Sequence, residues 1–250
     1  MGKYNASEMV HVNGIDMHYA AAGSGKPVIL IHGNGEDHNL FETQIDQLTA
    51  AGYRVYAPDS RGHGANAPLT EYHYADMAED VYQFICALDL DRPLYYGHSD
   101  GGIIGLLLEI SHPGTISGMA VSGTNLSPAG LEKSFVEKYA AINEKSPDPL
   151  LTLMLEEPHI DPEELEQIHI PVLVTAGSSD LILPEETRRI AAHLPHAQLV
   201  IVEGADHGSY IVGSEIMGKC CLTSSGKYNK ADPGIFGRKA CRIFRAEEIV

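Results

Sequence analysis

Short apolar runs alternate along this chain with longer amphipathic stretches, and that alternation constrains the fold more than any other feature. Pro27–Ile31 (PVILI) is continuously apolar, as a strand buried on both faces must be. Tyr53–Ala57, Pro93–Tyr96, Ile116–Ser122, Val172–Ala176 and Gln198–Val202 read the same way. Between them, Leu40–Ala51, Tyr74–Leu90, Gly101–Ile110 and Glu185–Leu194 read as helices. In the second of these, Met77, Val81, Phe84, Ile85 and Leu88 recur at helical spacing. Glu8–Val12 and Ile15–Ala20 flank Asn13-Gly14, a strong hairpin signal. A hairpin followed by β-α-β-α units predicts an α/β fold with a mostly parallel, doubly wound sheet. Right-handed crossovers place helices on both faces.

Composition narrows the partners. The 250 residues carry a net charge of −17, which repels phosphate backbones and anionic lipid. The expected partner is therefore neither nucleic acid nor a membrane. No apolar run approaches the ~18 residues of a membrane span. The first ten residues lack the basic-then-apolar build of a signal peptide, and Ala6 stands where a myristoylation signal wants Ser or Thr. These features predict a cytoplasmic protein. Its four cysteines, Cys86, Cys220, Cys221 and Cys241, are expected to be free thiols.

Two segments interrupt the rhythm. Asn125–Gln167 has no strand signal, holds ten acidic against three basic residues, and reads as a helical insertion over one edge of the sheet. Helical stretches are expected around Leu131–Ile142 and Leu150–Leu155. Residues 219–250 form the second break, with seven Lys and Arg against three Asp and Glu. They read as an atypical basic tail after a domain of residues 1–218: either a surface tail with a short helix near Arg242–Ile249, or a segment foreign to the domain.

The strongest chemical signal is Gly97-His98-Ser99-Asp100-Gly101-Gly102, which leaves a predicted strand and opens a predicted helix. That context is what a G-x-S-x-G elbow requires. The serine sits on a strained turn with its Oγ projecting from the sheet, and the positions two before and two after it must be tiny. A serine hydroxyl is a weak nucleophile that needs a base, itself oriented by an acid. Asp180 and His207 follow in that order, each just past the end of a predicted strand, where open α/β sheets place their sites. Asp206 is the rival acid, but adjacent side chains in an extended turn point apart, so Asp180 is preferred. His32-Gly33-Asn34-Gly35 follows Pro27–Ile31, and its glycines permit the tight turn that aims a backbone N–H at the serine. The oxyanion hole is assigned to the backbone N–H groups of Asn34 and Asp100. His32 reads as a buried structural residue.

Competing patterns fail. Gly23-Ser24-Gly25-Lys26 resembles a phosphate loop, but Ala20 replaces the first glycine and Pro27 the Ser or Thr. None of the thirteen histidines falls in a metal-binding pattern, and most read as surface residues.

Taken with Pro58-Asp59-Ser60-Arg61-Gly62-His63-Gly64 and Gly177–Asp180, these landmarks make the chain resemble the α/β-hydrolase superfamily over residues ~10–215. The resemblance implies a Ser99–His207–Asp180 triad, an Asn34/Asp100 oxyanion hole, a short cap at about 125–168, and a mostly structural role for Asp59, Arg61 and His63. Asp100 departs from the family, which more often has an apolar or amide side chain there. Capping of the helix is preferred for it over facing the pocket. Family members usually end in an amphipathic helix after the histidine; Tyr210–Met217 reads as the start of one. Epoxide hydrolases and haloalkane dehalogenases resemble this fold but carry aspartate at the nucleophile position, so Ser99 argues for acyl chemistry.

The expected activity is cofactor-free, metal-free hydrolysis of a small neutral or cationic carboxylic ester through an acyl-enzyme. Two alternatives stay open. The same triad can act on a C–C bond, a thioester or a lactone, or in perhydrolysis. The fold can also serve as a non-catalytic small-molecule receptor.

Overall fold

A computed structural model of the chain describes Tyr4 and residues 8–217. The basic segment 219–250, its three cysteines and the helix expected near Arg242–Ile249 lie outside the described residues. Cys86 is exposed and free. Among the described residues, no helix is long and apolar enough to cross a membrane.

The predicted hairpin forms between β1 (Glu8–Val12) and β2 (Ile15–Gly23). Asn13 and Gly14 both take positive φ, the conformation a tight two-residue turn demands. The other strands are β3 (Lys26–Ile31), β4 (Tyr53–Pro58), β5 (Leu94–His98), β6 (Gly118–Ser122), β7 (Val172–Gly177) and β8 (Ala197–Val202). They assemble with β1 and β2 into one sheet of order β1-β2-β4-β3-β5-β6-β7-β8. β1 and β2 pair antiparallel, and all pairings from β4 to β8 are parallel.

Alternate residues of the parallel strands feed two cores. Ile29 and Ile31 of β3 face one side, where α2 (Tyr74–Ala87), α3 (Asp100–Ser111) and α6 (Pro184–His193) pack. Val28 and Leu30 face the other side, covered by α1 (Glu42–Ala50). α1 starts later than its apolar pattern suggests. Asp37 accepts from the Asn39 N–H and starts a short tight turn over His38–Phe41 first.

Of the post-histidine segment Tyr210–Met217, only Ile216 and Met217 have helical backbone. The stretch before them runs mostly as turns, held by Ile211 and Val212 N–H groups on the Gly208 carbonyl, with Gly213 at φ +62°. Tyr210, Ile211 and Met217 are nevertheless fully buried against the α1 side of the sheet. The apolar spacing therefore marks core residues correctly, although Tyr210 and Ile211 sit in turns and helical backbone begins only at Ile216.

Between β6 and β7 lie α4 (Lys133–Lys145) and α5 (Pro149–Glu156), consistent in position with the two helical stretches expected there. The insertion does not hang over a sheet edge. Leu131, Phe135 and Met154 line one cavity with Ser99, so it spans the carboxyl ends of the central strands. Glu157, at the end of α5, anchors it: the carboxylate accepts from the Tyr74 N–H at 3.1 Å and pairs with His73 at 2.7 Å.

Candidate active site

Strand order sets the place. From β3 the chain turns to β4 on one side, and later enters β5 on the other, so the loops leaving β3 and β5 diverge. This switch point opens a crevice at the carboxyl ends of the strands. The Gly33–Gly35 loop follows β3, and Ser99 follows β5.

Ser99 has φ +52° and ψ −116°, a region that non-glycine residues rarely visit and that marks a strained, over-determined turn. Its N–H donates to the Ser122 carbonyl at 2.8 Å. Tight packing explains the flanking glycines. A Cβ on Gly97 would lie 2.1 Å from the Gly101 carbonyl oxygen, and one on Gly101 would lie 2.0 Å from that of Ile31. Gly101→Ala is therefore expected to lower unfolding free energy by about 2–3 kcal/mol, read from the urea midpoint.

His207 and Asp180 meet across the loops after β8 and β7. His207 Nδ1 lies 2.6 Å from Asp180 Oδ1. Asp180 also accepts from the Ile182 and Gly177 N–H groups, each at 3.1 Å. Burial pushes this carboxyl up, but the His207 hydrogen bond and charge, with the two N–H donors, bring it below the ordinary carboxylate value. Asp206 faces elsewhere: its carboxylate closes a turn onto the Gly208 and Ser209 N–H groups. Gly123, at φ +56° just after β6, makes room for the pair, since a Cβ there would sit 2.7 Å from His207 Cε1.

Ser99 and His207 line the same cavity of about 180 Å³, together with Asn34, Asp100, Leu181 and insertion residues. His98 borders it too, with its ring 4.8 Å from that of His207. Full burial, with the neighbouring His207, pushes His98 down to about 3, so it is neutral. Of the predicted residues, Asn34, Ser99, Asp100 and His207 share the cavity, and Asp180 stands behind His207. Among the described residues, neither the Asn34 nor the Asp100 backbone N–H donates to a protein acceptor. The Asp100 N–H is the first of α3, one of the unpaired donors that a helix start presents.

The side chain of Asp100 does not cap α3. No side-chain cap bond forms there; the carboxylate accepts from Asn34 Nδ2 at 3.1 Å, lies near the Tyr74 hydroxyl, and borders the cavity. The Asn34 amide, rather than the helix end, takes the carboxylate, with the Tyr74 hydroxyl nearby. Burial holds its carboxyl above the ordinary value despite them. Glu36 is a second cavity carboxylate that no motif announces. It accepts from the Gly33 N–H at 2.9 Å and is also pushed up by burial. Among the described residues, the cavity lining includes neither Lys nor Arg.

His32 is buried outside this lining, with Nδ1 on the Gly33 carbonyl and Nε2 receiving the Ser60 N–H. Asp59 accepts from the backbone and ring of His38, and Arg61 forms a two-point pair with Asp80. His63 joins His32 and His38 as a buried histidine. With His98 these are the four buried histidines, used in these loops as polar struts, while the other nine of the thirteen keep some exposure, as expected. Among the described residues, no group of three or more His, Cys, Asp or Glu is arranged to hold a metal ion.

Comparison with known proteins agrees with this architecture. A family profile described as the alpha/beta hydrolase fold matches residues 26–148. A protein of Caulobacter sp. (strain K31) that carries the provisional name carbamate hydrolase RutD is 28% identical, over 83% of this chain and 93% of its own. Bifunctional epoxide hydrolase 2 of Sus scrofa is 31% identical over 62% of this chain but only 28% of its own. Among solved structures, an esterase from Exiguobacterium antarcticum superposes with a TM-score of 0.74 at 21% identity, covering 89% of this chain and 98% of its own.

Proposed function

Because the chain belongs to the α/β-hydrolase superfamily, we propose that it is a serine hydrolase cleaving a small carboxylic ester through an acyl-enzyme. The observation that carries this reading is the His207–Asp180 pair bordering the cavity into which the strained Ser99 turn opens. His207 takes the proton from Ser99 Oγ as the oxygen attacks the ester carbonyl carbon. Asp180 keeps the Nδ1 proton on the ring, so that Nε2 is the basic nitrogen, and it stabilises the imidazolium that forms. The developing oxyanion is received by the Asn34 and Asp100 N–H groups. His207 protonates the departing alcohol and then activates water, which releases the acid.

Serine at position 99 favours this acyl chemistry over the epoxide opening named for one relative. Carbamate, C–C and thioester cleavage would use the same parts. Esters come first because their alcohols need no further help in leaving.

Among the described residues, Asp100 and Glu36 border the cavity with no Lys or Arg in its lining, which favours a neutral or cationic substrate. A carboxylate brought to ~4 Å from either, when ionised, would feel several kcal/mol of repulsion before screening. The p-nitrophenyl ester of a neutral acyl group is therefore expected to exceed p-nitrophenyl hemisuccinate in kcat/KM by at least ~10-fold. Faster turnover of the hemisuccinate would overturn the substrate class. A panel of p-nitrophenyl esters of rising acyl length then tests the activity itself, and no turnover of any member would favour the receptor alternative.

A further inference from the structure

We infer that the side chain of Asn34 is a positioning residue, which sets the spacing of the two oxyanion donors and ties that spacing to the insertion. The inference rests on the oxyanion-hole reading above. The two donors belong to loops that leave β3 and β5 in diverging directions, so strand pairing alone does not fix the distance between them.

Asn34 bridges this gap. Its Nδ2 donates one hydrogen to Asp100 Oδ2 at 3.1 Å, which joins the side chains of the same two residues whose backbone N–H groups form the hole. The other hydrogen goes to the Leu150 carbonyl in the first turn of α5, at 3.0 Å. Both amide hydrogens are then committed, so this nitrogen has none left to donate to a substrate. At the far end of the bridge, Asp100 is buried near the Tyr74 hydroxyl at the start of α2. Tyr74 and Asn34 each also bond the insertion, through Glu157 and Leu150. The spacing of the donors therefore depends on how the insertion is seated. An error of ~1 Å in such a site can cost on the order of 10²-fold in rate.

The test measures kcat per Ser99 titrated with a fluorophosphonate, using p-nitrophenyl acetate, for the wild type, Asn34→Ala, Asp100→Ala, the double variant and Asp100→Asn. Asn34→Ala is expected to lower kcat by ~10- to 100-fold with KM within ~3-fold, because the oxyanion forms only after binding. The inhibition constant of a trifluoromethyl ketone, which forms an oxyanion on the enzyme, should rise by the same factor. The double variant should be no more than ~3-fold worse than the poorer single variant, since either change breaks the same bridge. Asp100→Asn keeps an oxygen for Asn34 Nδ2 and should recover at least ~10-fold over Asp100→Ala. Multiplying losses, an unchanged kcat in Asn34→Ala, or no recovery in Asp100→Asn would each overturn the bridge. If Asn34→Ala does not fold, the comparison between the two Asp100 variants decides. A wild type that fails to titrate would refute the serine-hydrolase reading itself, whereas titration with an unchanged kcat in Asn34→Ala refutes only the bridge.

Discussion

A Ser99→Ala variant is expected to lose at least ~10³-fold in kcat against p-nitrophenyl esters. The change removes one oxygen and leaves the rest of the site in place. The Ser99 N–H still donates to Ser122, and the glycines that shape the turn remain. What disappears is the covalent step, because no hydroxyl remains to form the acyl-enzyme. Residual turnover would reflect substrate held beside the oxyanion donors and attacked directly by water. Retention of most of the activity would mean that the hydroxyl is not the nucleophile.

The second large effect is expected from Asp180→Asn, with a kcat loss of roughly 10³- to 10⁴-fold and little change in KM. Asp180 uses both oxygens as acceptors, Oδ1 for His207 and the Ile182 N–H, Oδ2 for the Gly177 N–H. An amide has one oxygen. If its nitrogen faces His207, then Nδ1 must accept, the ring proton moves to Nε2, and the base is lost. If its nitrogen faces Gly177 instead, two donors meet in a buried place at a cost of about 1–3 kcal/mol. Either orientation penalises the site. A KM effect without a kcat effect would place Asp180 in binding rather than in orienting the base.

The parallel strands were legible because strands buried on both faces must be apolar at successive positions, as Pro27–Ile31 and Val172–Ala176 are. Much of the site was legible for a related reason: the Ser99 turn cannot close unless positions 97 and 101 lack side chains, and strand ends are where such sheets expose reactive groups. Side-chain direction was less legible. Whether Asp100 caps its helix or turns to the cavity depends on Asn34 and Tyr74, which only the folded chain brings near it. Glu36 and Gly123 were missed for the same reason, since neither lies in a motif. One signal for Gly123 was available, a glycine directly after β6 at the same sheet end as Ser99. Tyr210–Met217 shows the opposite failure. Its apolar spacing fits a helix, yet Gly208 and Gly213 favour turns and helical backbone begins only at Ile216, while Tyr210, Ile211 and Met217 are buried.

The central claim is that His207, oriented by Asp180, makes the Ser99 oxygen a nucleophile. The most direct measurement is the mass of the intact protein after reaction with a fluorophosphonate, followed by fragmentation of the modified peptide. One adduct per chain is expected, on Ser99, formed at a rate that falls at least ~10²-fold in His207→Ala and absent in Ser99→Ala. An adduct on another residue, or equal labelling of Ser99 with and without the imidazole, would contradict it.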